Sequence, residues 1–272
     1  NIRIIAVVKA NAYGHGLAKV SREISDKIDG FGVISLAEAM VIRNYGSLKP
    51  VVLLQGIFTE QELNKCIELD LTILVHHSSQ VELLSRKNTI DKVKIWLKLN
   101  CGLNRLGFSS RELASLVKKI EAIPSIDHKN LCIMSHLSSA TSSHIETEKE
   151  IELFYNITKG LPYSKSLLNS AGIIKYPKAH FDWVRPGLML YGVSPFSYCD
   201  GKELNLKPVM QFEAQIISIR QCNTGDTIGY NKSWLCQHPT QIAIINVGYA
   251  DGYPIHIESN TSVLLNGEKA PV

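Results

Sequence analysis

Short apolar runs alternate with segments of helical period over residues 1–207, and this alternation narrows the possible folds more than any other feature. IIAVVK, GFGVIS, VVLLQG, LTILVH, VKIWLKLN, LCIMSHL, SLLNSA and FDWVRPG read as eight strands. Between them, LAKVSREISDKI, LAEAMVIRNYG, TEQELNKCIEL, SSQVELLSRK, SSRELASLVKKIEAI and HIETEKEIELFYNITKG carry apolar residues at the spacing of one helix face. Thr59 with Glu62 and Ser109 with Glu112 have the spacing of a capping box and predict helix starts. Strands joined by crossover helices run parallel, and eight of them close most simply into a TIM-like (β/α)8 barrel. A doubly wound open sheet is the alternative, but it calls for a Gly-rich nucleotide turn after the first strand, and the sequence has none.

The texture changes near Pro208. MQFEAQIISIRQ, TIGY, TQIAIINVGYAD and TSVLLNG alternate like half-exposed strands broken by Gly, Asn and Asp, which predicts a second, mostly β domain. The expected division is a barrel over 1–207 and the first part of the β domain over 208–272. Asn1 enters almost directly in a strand and Val272 follows a turn, so both ends read as trimmed. The six cysteines form no C-x-x-C pair and suggest neither a zinc site nor a disulfide framework. A net charge of +4, spread among acids, argues against nucleic acid as a partner. No apolar run approaches the roughly 20 residues of a membrane span, and no leader pattern opens the chain. A cytoplasmic protein without a membrane partner is therefore expected.

Active groups of such barrels sit at the carboxyl ends of the strands. Those positions hold Lys9 after strand one, Lys98 in strand five with Arg105 just beyond, His136 after strand six, Asn169 and Ser170 after strand seven, and Arg185 after strand eight. The loops after strands seven and eight commonly bind phosphate, and here they offer the Ser170 hydroxyl and the N–H groups near Gly187 and Leu188. Taken singly, each residue has a plainer reading. Lys9 could snorkel to water, Arg185 could pair with Asp182, His136 could be a core histidine, and Tyr249 could support a turn. Together, a lysine across the mouth from a phosphate site, with Tyr13 on the loop between, describes a pocket for pyridoxal 5'-phosphate (PLP).

AVVKANAYGHG, LNCGLNRLGF, LLNSAG, VRPGLMLYG and VGYADGYP, in this order, resemble the motifs of the alanine racemase family, two-domain PLP enzymes. The resemblance implies that Lys9 carries the cofactor, that Tyr13, Ser170, Gly187 and Leu188 hold its phosphate, and that Arg185 meets its pyridine nitrogen with His136 behind. It implies that Arg105 binds near the substrate carboxylate with Lys98, a lysine that can be carbamylated in relatives, and Asn169 in support. Tyr249 would be the second acid/base, serving the partner's site in a head-to-tail homodimer. The family usually has Asp-Thr where this chain has Asn100 and Cys101.

The implied reaction interconverts L- and D-alanine, supplying D-alanine for peptidoglycan, and needs no metal. Removing the Cα proton from one face and returning one to the other requires two flanking groups, the roles of Lys9 and Tyr249. An arginine against the ring nitrogen leaves that nitrogen unprotonated, which weakens the electron sink and disfavours transamination. A non-catalytic PLP carrier and a related racemase or decarboxylase are the alternative functions. The β domain with GYADGYP speaks against the first, and the lack of an acid in VRPG against decarboxylation.

Overall fold

A computed structural model describes residues 2–87, 89–258 and 261–272. Strands β1 (Arg3–Val7), β2 (Gly30–Val33), β3 (Val51–Leu53), β4 (Thr72–Val75), β5 (Lys94–Lys98), β6 (Cys132–Met134), β7 (Ser164–Ser166) and β8 (Trp183–Val184) follow one another around a closed barrel. Every neighbouring pair is parallel, and β8 closes on β1 through Arg3↔Trp183 and Ile4↔Val184. Closure removes both sheet edges, so the open-sheet alternative is excluded.

Side chains alternate strictly between two apolar clusters. Ile5, Val52, Leu74, Trp96, Cys132, Met134 and Trp183 fill the barrel interior, while their neighbours Ala6, Val51, Leu53, Ile73, Val75, Ile95, Leu97 and Ile133 pack outward against the helices. Strand β2 contributes glycine to the interior: a Cβ on Gly30 would lie 2.8 Å from Ile5 Cδ1, so the strand leaves the space that isoleucine fills. Trp96 and Trp183 meet at 5.7 Å between ring centroids.

Helices Leu17–Ile24, Leu36–Asn44, Glu60–Glu68, Ser78–Arg86, Leu113–Glu121 and His144–Thr158 realise the six segments of helical period, and a further short helix spans Ser170–Lys175. The capping box of Thr59 and Glu62 forms as its spacing predicts. The Ser109–Glu112 box does not. Ser109 donates both its N–H (2.8 Å) and its hydroxyl (2.6 Å) to Glu112 Oε2, so the hydroxyl is turned away from helix N–H groups and the helix begins later, at Leu113. None of the helices among the described residues is long and apolar enough to cross a membrane.

The chain divides into compact units Asn1–Met210 and Gln211–Val272. In the smaller unit, β9 (Ile216–Cys222) pairs antiparallel with β12 (Thr240–Ile245), β10 (Thr227–Ile228) with β11 (Trp234–Leu235), and β13 (Ser262–Leu265) with β14 (Glu268–Pro271). Its helical content among the described residues is two short 3-10 turns, Tyr230–Lys232 and Tyr249–Asp251. The stretch Met210–Gln215, which reads as the start of a strand, lies outside the ladder that begins at Ile216.

Candidate active site

The inward parity of the strands selects the polar residues at the barrel mouth. Ile5 and Val7 lead to Lys9, Trp96 to Lys98, Met134 to His136, and Trp183 to Arg185, each two residues further along an inward-facing series. Four cationic or imidazole side chains are thereby gathered at the carboxyl end of one barrel. Their proximity has an electrostatic signature. Burial, and then the charges of Arg185, Lys98, Arg105 and Lys9, push His136 well below the usual histidine range.

Lys9 opens a turn that winds the wrong way for L-residues. φ is 52° at Ala10, 54° at Asn11, 54° at Ala12 and 52° at Tyr13, a left-handed turn without glycine that ends at Gly14. Each such residue costs roughly 1–2 kcal/mol, so surrounding bonds must hold the turn. Ala12 N–H donates to the Val8 carbonyl at 2.9 Å, Gly14 N–H to Ala10 at 3.0 Å and Gly16 N–H to Asn11 at 3.0 Å. Asn11 Oδ1 accepts the N–H of Leu17 (2.8 Å), and Glu38 accepts that of Asn11 (3.2 Å). The turn folds Tyr13 back over β8's exit: a Cβ on Gly187 would lie 3.0 Å from the Tyr13 hydroxyl, so only glycine leaves both in place. Tyr191 backs this loop, 5.1 Å from the Tyr13 ring, stacked at 4.5 Å on His15, and donating to the Val7 carbonyl at 3.3 Å. Burial raises the Tyr13 phenol, which keeps it a hydrogen-bond donor.

Opposite stands a nest of donors. Asn169 caps the helix Ser170–Lys175 by accepting the Gly172 N–H at 3.1 Å. Ser170 Oγ accepts from the N–H groups of Gly187 (3.0 Å) and Met189 (3.3 Å). Leu188 opens the 3-10 turn Leu188–Tyr191, where its N–H has no partner within the turn. Met189 thus joins Gly187 and Leu188 as a donor at this end, a participant that the motif alone did not single out.

Arg185 is buried and does not pair with Asp182, whose carboxylate accepts the N–H of Lys165 at 2.7 Å. The guanidinium donates to the hydroxyl of Ser166 and to the carbonyls of Ser135 (2.6 Å) and Leu167 (3.0 Å). His136 Nδ1 lies 3.5 Å from Arg185 Nη2. Arginine only donates, so Nδ1 is the acceptor in that contact, while Nε2 lies 3.5 Å from the Asn169 Nδ2 amide. Burial lowers Arg185 to about 10, still well above neutrality, so the positive charge persists with no carboxylate paired to it among the described residues. Ser135 and Ser166 were not recognisable as its partners from their motifs. A signal existed in the parity, since Ser166 shares one face of β7 with Ser164.

Lys98 is also buried, and burial followed by the charges of Arg185 and Arg105 lowers its amine to about 7. Arg105 stands exposed on the loop after β5. Asn100 Oδ1 pins that loop by accepting the N–H groups of Gly102 (3.2 Å) and Asn104 (3.0 Å), and backbone bonds Phe108 to Lys98 and Asn100 to Phe108, each 2.9 Å, close its base. Tyr249 belongs to the smaller unit, where it begins a 3-10 turn and is 65% exposed. Asp251 fixes that turn by accepting the Gly248 N–H at 3.0 Å.

The family model "Alanine racemase, N-terminal domain" matches residues 1–195, and "Alanine racemase, C-terminal domain" matches residues 209–272. The alanine racemase of Coxiella burnetii is 38% identical over 273 residues, covering 98% of this chain and 74% of that protein. The crystal structure of the biosynthetic alanine racemase from Pseudomonas aeruginosa superimposes with a TM-score of 0.94 at 36% identity, over 99% of this chain and 75% of that one. The alanine racemase from Acinetobacter baumannii gives 0.91 at 36% identity, over 100% and 76%. A barrel with this inward-facing set of cations, a separate β unit, and matches to both family domains together establish that the chain belongs to the alanine racemase family of amino-acid isomerases.

Proposed function

We propose that the protein interconverts L- and D-alanine with PLP held at the barrel mouth, and that its D-alanine serves peptidoglycan synthesis in the cytoplasm. The observation that carries this reading is Arg185, a buried, charged guanidinium with no acid partner among the described residues, held by Ser166, Ser135 and Leu167. The donor set suits the cofactor. Tyr13, Ser170 and the N–H groups of Gly187, Leu188 and Met189 provide for a phosphate, Arg185 for a ring nitrogen, and Lys9 for an aldehyde. When bound, PLP supplies delocalisation for the electron pair left at the alanine α-carbon.

The chain's own residues perform the rest. Lys9 Nζ serves one face of the α-carbon and Tyr249 Oη the other, so that one takes the proton while the other returns one. Arg105 binds the substrate carboxylate. Arg185 would hold the ring nitrogen as a donor without protonating it at neutral pH, which would favour return of a proton at the α-carbon. His136, held neutral, accepts from Arg185 without adding charge.

Lys98, with an amine near 7, is largely neutral at slightly alkaline pH and can add carbon dioxide. The carbamate formed, with loss of one proton, would place a negative charge against Arg105 and support it. Tyr249 acts in the site of a second copy in a head-to-tail homodimer. Borohydride reduction of the PLP-loaded protein, followed by peptide mapping, tests the core of the reading. A pyridoxyl group on the peptide containing Lys9 is expected, and its absence overturns the proposal.

A further inference from the structure

Four barrel helices carry Glu or Gln at their third position, and Glu62, Gln80 and Glu38 spend it differently on nearby backbone. Glu62 gives Oε2 to the N–H groups of Phe58 (2.6 Å) and Thr59 (3.1 Å), both at its own helix start. Gln80 gives Oε1 to the N–H groups of His76 (2.7 Å) and His77 (3.1 Å), and extends Nε2 to the Ile57 carbonyl in the preceding strand's loop at 3.1 Å. Glu38 also reaches the preceding loop, but the group it meets there is an N–H. Its Oε2 accepts from Ile34 at 2.9 Å, just past β2, and its Oε1 accepts from Asn11 at 3.2 Å, two residues past Lys9. A carboxylate offers a separate oxygen to each N–H, whereas an amide in this place would turn its NH2 toward one of the two donors.

The Asn11 N–H matters because of where it lies. The left-handed turn satisfies its own amides at Ala12, Gly14 and Gly16, whereas the Asn11 N–H finds its acceptor on another element, the helix Leu36–Asn44. That helix is itself anchored, with Ser35 Oγ accepting the Glu38 N–H at 3.2 Å. Glu38 therefore ties a conformation disfavoured in isolation to a rigid neighbour. The turn's hand decides both the exit of Lys9 into the mouth and the return of Tyr13 over Gly187.

We infer that Glu38 is a positioning residue for the cofactor lysine, fixing the left-handed turn that aims Lys9 and Tyr13; this rests on the PLP reading of Lys9 given above. The test compares Glu38→Ala and Glu38→Gln with Glu62→Ala, which removes an equivalent helix cap away from Lys9. Each protein is titrated with PLP, trapped on Lys9 with borohydride, and assayed with alanine. Glu38→Ala is expected to raise the PLP concentration for half-saturation about tenfold or more, as loss of a charge-assisted bond implies, and to lower kcat with KM for alanine nearly unchanged. Glu38→Gln, keeping one acceptor, should fall between it and the wild type, and it gives the same comparison if the alanine variant does not fold. Glu62→Ala should lower the melting temperature while leaving PLP half-saturation within about twofold. Equal effects of Glu38→Ala and Glu62→Ala on PLP retention, or wild-type retention in both Glu38 variants, would overturn the inference while leaving the function intact. Failure of the wild type itself to be trapped on Lys9 would overturn both.

Discussion

At the scale of single residues, the site is governed by buried positive charge. Lys98 titrates near 7 in the folded chain against an ordinary 10.5. Between those values the unfolded chain holds a proton that the folded chain lacks, so stability should rise with pH across that window, by up to about 1.4 kcal/mol per pH unit from this group. Below pH 7 both states are protonated and the cost is constant. Lys98→Met should remove the slope, which urea unfolding at several pH values in carbon-dioxide-free buffer will measure. In the proposed reaction, selectivity is assigned to Arg185. Replacing it with glutamate should allow the ring nitrogen to be protonated, lower racemisation about a hundredfold and raise pyruvate formed per racemisation event; an unchanged product ratio would count against its role. Gly187→Ala should weaken PLP binding, since the new methyl group would stand 3.0 Å from the Tyr13 hydroxyl, and a PLP titration reads this directly.

At the scale of elements, most strands were legible because burial on both faces leaves compact apolar runs: six of the eight runs contain an observed strand, IIAVVK is offset by one residue from β1, and SLLNSA was misplaced, since β7 ends at its first residue, Ser166, and the apolar pair that follows lies past the strand. Lys9, Lys98, His136 and Arg185 were legible as polar groups at or just past the carboxyl ends of those runs, whereas their common inward parity was not, because runs apolar on both faces do not show which face is the interior. The turn after Lys9 was not legible. Ala10, Asn11 and Ala12 carry no local signal for left-handed backbone, and its hand depends on tertiary partners, Glu38 among them. The Ser109–Glu112 start misled because its spacing permits two arrangements, and the hydroxyl donates to the carboxylate instead of accepting from the helix. The helix Ser170–Lys175 is too short to show a period, while its cap at Asn169 lies within a motif the sequence did display. Strain in the turn gives a further expectation. Ala10→Gly removes roughly 1–2 kcal/mol of left-handed cost and adds about 0.5–1 kcal/mol of unfolded-chain entropy, for a net stabilisation of up to about 1.5 kcal/mol in urea unfolding.

At the scale of the whole molecule, Lys9 and Tyr249 lie in different compact units, the barrel and the β unit. If each site draws Tyr249 from a second copy, Lys9→Ala and Tyr249→Phe variants, each inactive alone, should complement when mixed and allowed to exchange subunits. Random pairing makes half the dimers mixed with one intact site in two, so activity should recover to about a quarter of the wild type; a mixture that stays inactive would assign both residues to one chain. The account's central claim is that a lysine on the first strand moves the α-proton of alanine. Its most direct test is incubation of L-alanine with the protein and PLP in deuterated water, followed by chiral analysis. The account predicts deuterium at the α-carbon together with D-alanine, and a loss of both by more than about a thousandfold in Lys9→Ala. Exchange and racemisation that persist in Lys9→Ala would contradict it.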